Sequence, residues 1–502
     1  MSRAARTALA ALLLAACAGP AQPGRLAAPK APAAPAAVAP APPAEPWVPT
    51  PPPSPAPRLA SREPQAREAL LPSGLRVVAV EEHTRPLVHI VLLLPRGALS
   101  DPPEALGATS LAVELVGDFH EVGEDGEKLI EERSLRRQVA ERGGALGLGS
   151  SHDAAWLTVT GFARDAGTYL RQLSNAVRAP RHGARSFKER RDARLDFLED
   201  LRTSDSAALG VVMAEAAFGA GHPYARSAIG SHAGLERFGL EDVQRHQEAL
   251  LVPEGATLLV VGDVDATALL ADARTAFKNW QGRALPAPVV PAGGQVRGGV
   301  GLLRRQPATT LVTCATRPLH GVRASDAALE LLAAHLGEGP SSRLARALRD
   351  EGGHAYVVSA SLERRRHARA FMACAPLAAG RGGEGLKAFR QVLEATRASP
   401  MGEAELAHAR GLVLGDLDAS WDDAGRITQA WIEALLLGQE RPRPERRRAE
   451  VEAVTAEELW RAAQEVLRPE AIRWVVSGEP KVAERASREA GLGTPEALTL
   501  DR

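Results

Sequence analysis

Two stretches of this chain align without a gap at a constant offset of 216 residues, and a duplication of that size constrains the fold more than any single motif. The first is Glu241-Asp-Val-Gln-Arg-His-Gln-Glu-Ala-Leu-Leu-Val-Pro-Glu-Gly-Ala-Thr-Leu-Leu-Val-Val-Gly262, and the second is Glu457-Glu-Leu-Trp-Arg-Ala-Ala-Gln-Glu-Val-Leu-Arg-Pro-Glu-Ala-Ile-Arg-Trp-Val-Val-Ser-Gly478. Pro253 falls on Pro469. In each copy an apolar stripe at helical spacing (Val243, His246, Leu250; Leu459, Ala463, Leu467) stops before the proline, and a β-rich run then ends at a glycine. Each copy closes a longer unit that opens with strand-like runs: Leu75-Arg-Val-Val-Ala-Val and His89-Ile-Val-Leu-Leu-Leu in one, Val300-Gly-Leu-Leu and Thr310-Leu-Val-Thr-Cys in the other. A Pro/Gly-rich segment from Pro286 to Gly294 separates them. The fold class expected is therefore α+β: two homologous domains, residues 66–284 and 296–485, each a mostly antiparallel sheet packed with helices, joined by a linker at 285–295 and followed by a tail at 486–502. With 45% hydrophobic residues, a chain of 502 can bury cores of that number and size.

The N-terminus reads as an address. Arg3 and Arg6 precede an apolar stretch from Thr7 to Ala16 that is too short to span a bilayer, which is the shape of a signal peptide. It ends in Leu14-Ala-Ala-Cys17, which resembles a bacterial lipobox, so residues 1–17 are expected to be a lipoprotein signal with Cys17 lipidated; a plain signal peptide with an incidental cysteine is the alternative. Ala18 after the cysteine favours the outer membrane, with the chain anchored by lipid and facing the periplasm. Residues 18–65 are dominated by Pro and Ala and are expected to form a disordered, semi-rigid tether. Cys314 and Cys374 both lie in apolar strand-like runs and are expected as buried free thiols rather than a disulfide or metal pair. Lys plus Arg equals Asp plus Glu at 61 each, so no net field draws nucleic acid, and no phosphate-cradling Gly-rich loop is present.

The order of several further motifs resembles the insulinase/pitrilysin family of zinc metallopeptidases. In the first half these are Pro72-Ser-Gly-Leu-Arg-Val, Gly97-Ala-Leu-Ser-Asp-Pro-Pro, Gly221-His-Pro-Tyr224 and the Pro253–Asp263 segment; in the second half the run is Ser341-Ser-Arg-Leu-Ala-Arg-Ala-Leu-Arg-Asp-Glu-Gly-Gly-His-Ala-Tyr356. The resemblance implies insulinase-type domains that work in clasped pairs and admit unfolded peptide. Active members carry His-x-x-Glu-His on the first long helix, where two imidazoles bind zinc and the glutamate takes a proton from metal-bound water. Here the matching helix is Gly107-Ala-Thr-Ser-Leu-Ala-Val-Glu-Leu-Val, so Ser110 and Glu114 stand where the histidines belong and Val113 where the base belongs. Neither His-x-x-Glu-His nor His-Glu-x-x-His occurs anywhere in the chain. The family's remaining glutamate ligand would fall near Glu199 or Asp200. His83, His89, His120, His152 and His222 are expected in surface or packing roles.

What the resemblance leaves in place is Arg349 and Tyr356. In active relatives the matching residues reach the zinc site from another domain and stabilise the substrate carbonyl as it gains negative charge. Two readings of the pair stand: that role, or a fold-forming one, with Arg349 in a salt bridge and Tyr356 in a half-buried strand. Arg343 is expected to be structural. Three functions follow. The first is a non-catalytic subunit that lends Arg349 and Tyr356 to a homologous partner carrying intact His-x-x-Glu-His, with peptide or unfolded protein as substrate, zinc only in the partner and no metal on this chain. The second is a structural or peptide-binding lipoprotein, and the third an active zinc peptidase with unrecognised ligands.

Overall fold

The computed structural model describes residues 65–499, apart from 119–120, 123–128, 131–133, 179, 181, 220, 284–287, 292–295 and 307–308. The expected signal peptide with Cys17, nearly all of the tether, His120 and most of the 285–295 linker lie outside the described residues.

Each half is built on a six-stranded sheet. Strands β1 (Ala66–Leu70), β2 (Arg76–Glu81), β3 (Leu87–Leu94), β4 (Ala145–Ser150), β5 (Ala155–Phe162) and β6 (Thr257–Gly262) are ordered β1-β2-β6-β3-β5-β4. Only the β2/β6 pair is parallel. In the second half β7 (Gly299–Arg304), β8 (Thr310–Pro318), β9 (Ser359–Arg364), β10 (Arg369–Ala378), β11 (Arg473–Gly478) and β12 (Glu496–Leu498) are ordered β9-β10-β8-β11-β7-β12. The parallel β2/β6 contact recurs as β7/β11. The outermost strand differs: β1 precedes its sheet and runs antiparallel to β2, whereas β12 comes from the chain's end and runs parallel to β7. The segment expected as a tail after residue 485 therefore completes the second sheet.

The duplication extends further than the sequence match. The 3-10 turns at Ala163–Asp165 and Ala379–Arg381 stand 216 residues apart, as do the starts of helices α2 (Ala166–Arg178) and α8 (Gly382–Ala398). Helices α5 (Leu240–Leu250) and α11 (Ala456–Val466) and strands β6 and β11 keep the same offset.

Strand periodicity explains how the sheets are covered. Val77, Ala79, Ile90, Leu92, Leu258 and Val260 face a core shared with α2, α5 and helices α1 (Ala108–Val116) and α6 (Ala266–Phe277). The alternating Val78, Val80, Val91, Leu259 and Val261 face the other way, onto Ile427 and Trp431 of α10 (Ala424–Leu436), a helix from the second half. The arrangement is reciprocal. Helix α4 (Asp205–Phe218), from the first half, sets Ala208, Val212 and Met213 against Leu303, Cys314 and Val475 on the outer face of the second sheet. Because both faces of both sheets are covered, the central strands read as unbroken apolar runs instead of alternating ones.

The expectation of free thiols is corrected: Cys314 and Cys374 form a disulfide. They are directly opposed in the β8/β10 ladder and point to the same outer face, beneath α4. An apolar run marks each cysteine as buried but does not reveal that the two share a register.

Trp431 is 4% exposed and anchors α10 on the first sheet. Trp431→Ala should lower unfolding stability by about 3–5 kcal/mol, read by urea denaturation followed by circular dichroism. A loss under about 1 kcal/mol would show that the exchanged helix contributes little.

Candidate functional site

The helix that matters is α1, and its entry is tightly specified. A Cβ at Gly97 would lie 2.2 Å from the Ser151 carbonyl, so the chain leaving β3 passes against the β4–β5 loop only because residue 97 has no side chain. Gly107 sits at φ 103°, in the left-handed region, with Gly230 packed on it. The Asp101 carboxylate accepts from Gly107 N at 2.8 Å, Thr109 N at 2.9 Å and Thr109 Oγ1 at 2.6 Å, closing the helix's unpaired N–H groups. Burial raises Asp101 to about 6 despite these bonds. Thr109 Oγ1 also lies 2.9 Å from His246 Nε2, and burial lowers that imidazole to about 4. The Asp-Thr-His row supports the helix and cannot serve a nucleophile, since Thr109 is fully buried.

Along α1 the three altered positions have separate fates. Ser110 is 5% exposed and Val113 is fully buried, so both have become core positions. Glu114 turns to the rim and forms an ion pair with Arg194 of α3 (Ala184–Thr203). One turn on, Asp118 Oδ1 accepts from Arg190 Nη2 at 3.0 Å and from Arg136 Nε at 3.2 Å, and Arg136 Nη2 donates to the Glu114 carbonyl at 3.3 Å. Asp118 raises the pKa of Arg190, while burial and the neighbouring Arg190 lower that of Arg136. Two carboxylates four residues apart on one segment thus meet two guanidinium groups four apart on another. That complementary spacing is in the sequence, but nothing there says the helices touch.

These residues do not fit a zinc ion. A hydroxyl, an isopropyl group and one carboxylate already paired with a guanidinium replace two imidazoles and a base. The helix expected to bring the distant glutamate meets position 114 with Arg194, while Glu199 and Asp200 are exposed farther along it. Among the described residues no three His, Cys, Asp or Glu side chains gather as a metal site. The histidines have individual partners: His83 with Asp263 at 2.7 Å, His89 with Thr160 Oγ1 at 3.1 Å, His152 with the Arg226 carbonyl at 2.8 Å, and His222 with the Pro291 carbonyl at 3.2 Å.

The second-half motif is differently placed. Arg343 grips Glu405 through two bonds of 3.1 and 2.8 Å and holds that carboxyl down at about 2, a structural role. Past it the chain widens into a π-helical turn, Arg346–Glu351, and bends at Gly353 (φ 58°). His354 N and Ala355 N both donate to the Leu348 carbonyl, at 2.7 and 3.0 Å, which fixes the segment leading to Tyr356. Tyr356 is 92% exposed, so it is not the half-buried strand residue that a fold-forming role requires. Arg349 lies on the surface beside Asp350, bonded at 2.8 Å through Nε, and Asp350 raises its pKa. The ion pair itself joins sequence neighbours, and the same guanidinium also donates from Nη2 to the Pro340 carbonyl at 3.4 Å, in the loop before the turn.

Two expectations follow. Glu114→Ala strands the buried Arg194 and should cost about 2–4 kcal/mol, whereas Glu114→Leu combined with Arg194→Met should cost less than that single change; urea unfolding decides, and a double variant worse than the single would show that the pair itself stabilises. The second concerns pH. His152 and His246 are held near 4 by burial, against an ordinary 6.5, so below 6.5 the unfolded chain takes up protons that the fold refuses, and their contribution to stability is lost as pH falls towards 4. His335, also lowered to about 4 by burial, adds to this loss, while Asp101, raised from 3.8 to about 6 by burial, and His83, raised by its bond to Asp263, act in the opposite sense without outweighing the three buried imidazoles. Urea midpoints should therefore fall between pH 6.5 and 4.5; a rise would contradict this.

Comparison with known proteins places this geometry. The family described as "Peptidase M16 inactive domain" matches residues 237–412. A protein of Mycobacterium tuberculosis H37Rv, named as an uncharacterized zinc protease, is 27% identical over 305 residues, or 59% of this chain and 68% of the relative. Among solved structures, the peptidase M16 inactive domain from Pseudomonas fluorescens superposes with a TM-score of 0.71 at 16% identity, covering 83% of this chain and 98% of that one. The first half of the periplasmic protease PqqL from Escherichia coli gives 0.71 at 13% identity, covering 87% and 98%. The fold, the duplicated order of its elements and these matches agree in making the chain similar to insulinase-type (M16) peptidases, with no His-x-x-Glu-His motif in its sequence.

Proposed function

We propose that this chain is the non-catalytic subunit of a cell-envelope zinc peptidase and lends Arg349 and Tyr356 to the site of a homologous partner that carries intact His-x-x-Glu-His. The observation that carries this reading is Tyr356, a phenol 92% exposed at the end of a segment whose backbone is closely fixed. A tyrosine held in that way is presented to something outside the chain. In the partner's site, zinc would supply the activated water and polarise the scissile carbonyl. This chain would add two hydrogen-bond donors: the Arg349 guanidinium, kept charged and oriented by Asp350, and the Tyr356 hydroxyl, both aimed at the oxygen that becomes negative. Its own α1 supplies no base.

An envelope location is supported by the Cys314–Cys374 disulfide, since such bonds persist in oxidising compartments, and by the lipobox-like Leu14-Ala-Ala-Cys17, through which a lipid would anchor the chain. A second reading, peptide binding without proteolysis, is favoured by one feature. Strand β4, beside α1, ends the first sheet and has no strand partner on its outer side among the described residues, which leaves an edge that an extended peptide could join.

The two separate on reconstitution with a zinc-motif partner. Arg349→Ala and Tyr356→Phe should each lower the kcat of the assembled enzyme by about a hundredfold while changing this chain's stability by less than about 0.5 kcal/mol. Failure of the chains to associate, or unchanged kcat in both variants, would sink the subunit reading and leave peptide binding.

A further inference from the structure

A cavity of about 420 Å3 opens where the β9–β10 turn of the second half meets Phe218 at the end of α4. Its lining is strongly basic: Arg364, Arg365, Arg366 and Arg369, with His320 and His367, face one carboxylate, Asp326. Most of this charge is accounted for. Arg364 pairs with Glu330 at 2.9 Å and Glu433 at 2.5 Å, and Arg369 with Asp326 at 2.5 Å. Arg366 donates to the Leu435 and Leu436 carbonyls at the negative end of α10, at 3.1 and 3.3 Å.

Arg365 is different. Its Nε is buried without a hydrogen-bond partner, and the guanidinium has no carboxylate partner among the described residues. Its field reaches inward, adding to burial in holding His152 neutral. A guanidinium in that condition is costly for the fold, and the cost is offset when an oxyanion accepts from its fork. The volume lies in the range of small-ligand sites, which run from roughly 300 to 1,000 Å3, so there is room for an oxyanion with a small organic body attached.

We propose that this cavity binds a small oxyanion-bearing ligand, a carboxylate or a phosphate, with Arg365 as its principal contact. The site is separate from Arg349, Tyr356 and α1, and holds whether or not the chain serves a peptidase. Two sources fit the chemistry: the C-terminal carboxylate of a short peptide, or a free phosphate-type anion.

Isothermal titration of the full chain separates them, using inorganic phosphate in one arm and, in the other, a tripeptide with a free C-terminal carboxylate beside the same tripeptide amidated. Saturable binding of phosphate, or of the acid but not the amide, is expected. Arg365→Gln should weaken it by about tenfold or more, while Arg297→Gln, at an exposed position in the inter-domain region, should leave it unchanged. Should Arg365→Gln fail to fold by circular dichroism, Arg365→Lys carries the test, with about threefold weakening expected because an ammonium cannot form the bidentate contact. No saturable binding in either arm, equal binding of acid and amide, or affinity indifferent to residue 365 would overturn the proposal.

Discussion

Everything in this molecule depends on each half covering the other's sheet. Helix α10 lies on β2, β6 and β3 of the first half, and α4 lies on β7, β11 and β8 of the second. Removing either helix from its sheet would bare an apolar face, of Val and Leu on the first sheet and of Leu, Val, Met and the cysteine pair on the second, so neither half is complete alone. The same exchange places the Cys314–Cys374 disulfide under α4, and brings the β9–β10 turn against Phe218 and Tyr224, where the Tyr224 hydroxyl donates to Asp153 at 2.7 Å and accepts from His367 N at 3.2 Å.

On that frame the altered α1 is a remodelled contact, not a damaged one. In a zinc peptidase of this family, the metal would draw ligands from α1 and from the helix opposite. Here the two helices are joined by carboxylate and guanidinium groups, Glu114 with Arg194 and Asp118 with Arg190, and Ser110 and Val113 are absorbed into the core. A buried cation at Arg194 also repels a dication from the place where one would sit. In the second half, Arg349 lies at the surface in an ion pair with Asp350, and Tyr356 is almost entirely in solvent.

Local patterns carried most of the fold. The apolar runs of β2, β3, β6 and β11, the proline stops at Pro253 and Pro469, and the offset of 216 were all visible, because strand period, helix period and proline geometry act within a few residues. What was not visible depended on which elements meet. The cysteine pair needs the β8/β10 register; the Arg194 contact needs the approach of α1 to α3; and the place of residues 496–498 needs the open edge of β7. Tyr356 is the converse case. Its position in the motif was legible, but only the structure distinguishes a packed ring from a presented one.

The central claim is that ion pairs between α1 and α3 have taken the place of a metal. Equilibrium dialysis of the purified chain against zinc, followed by metal analysis and thermal unfolding with and without chelator, tests it most directly. The account predicts no stoichiometric zinc surviving dialysis and an unfolding midpoint unmoved by chelator. One tightly held zinc per chain, with a midpoint that falls when it is removed, would contradict it.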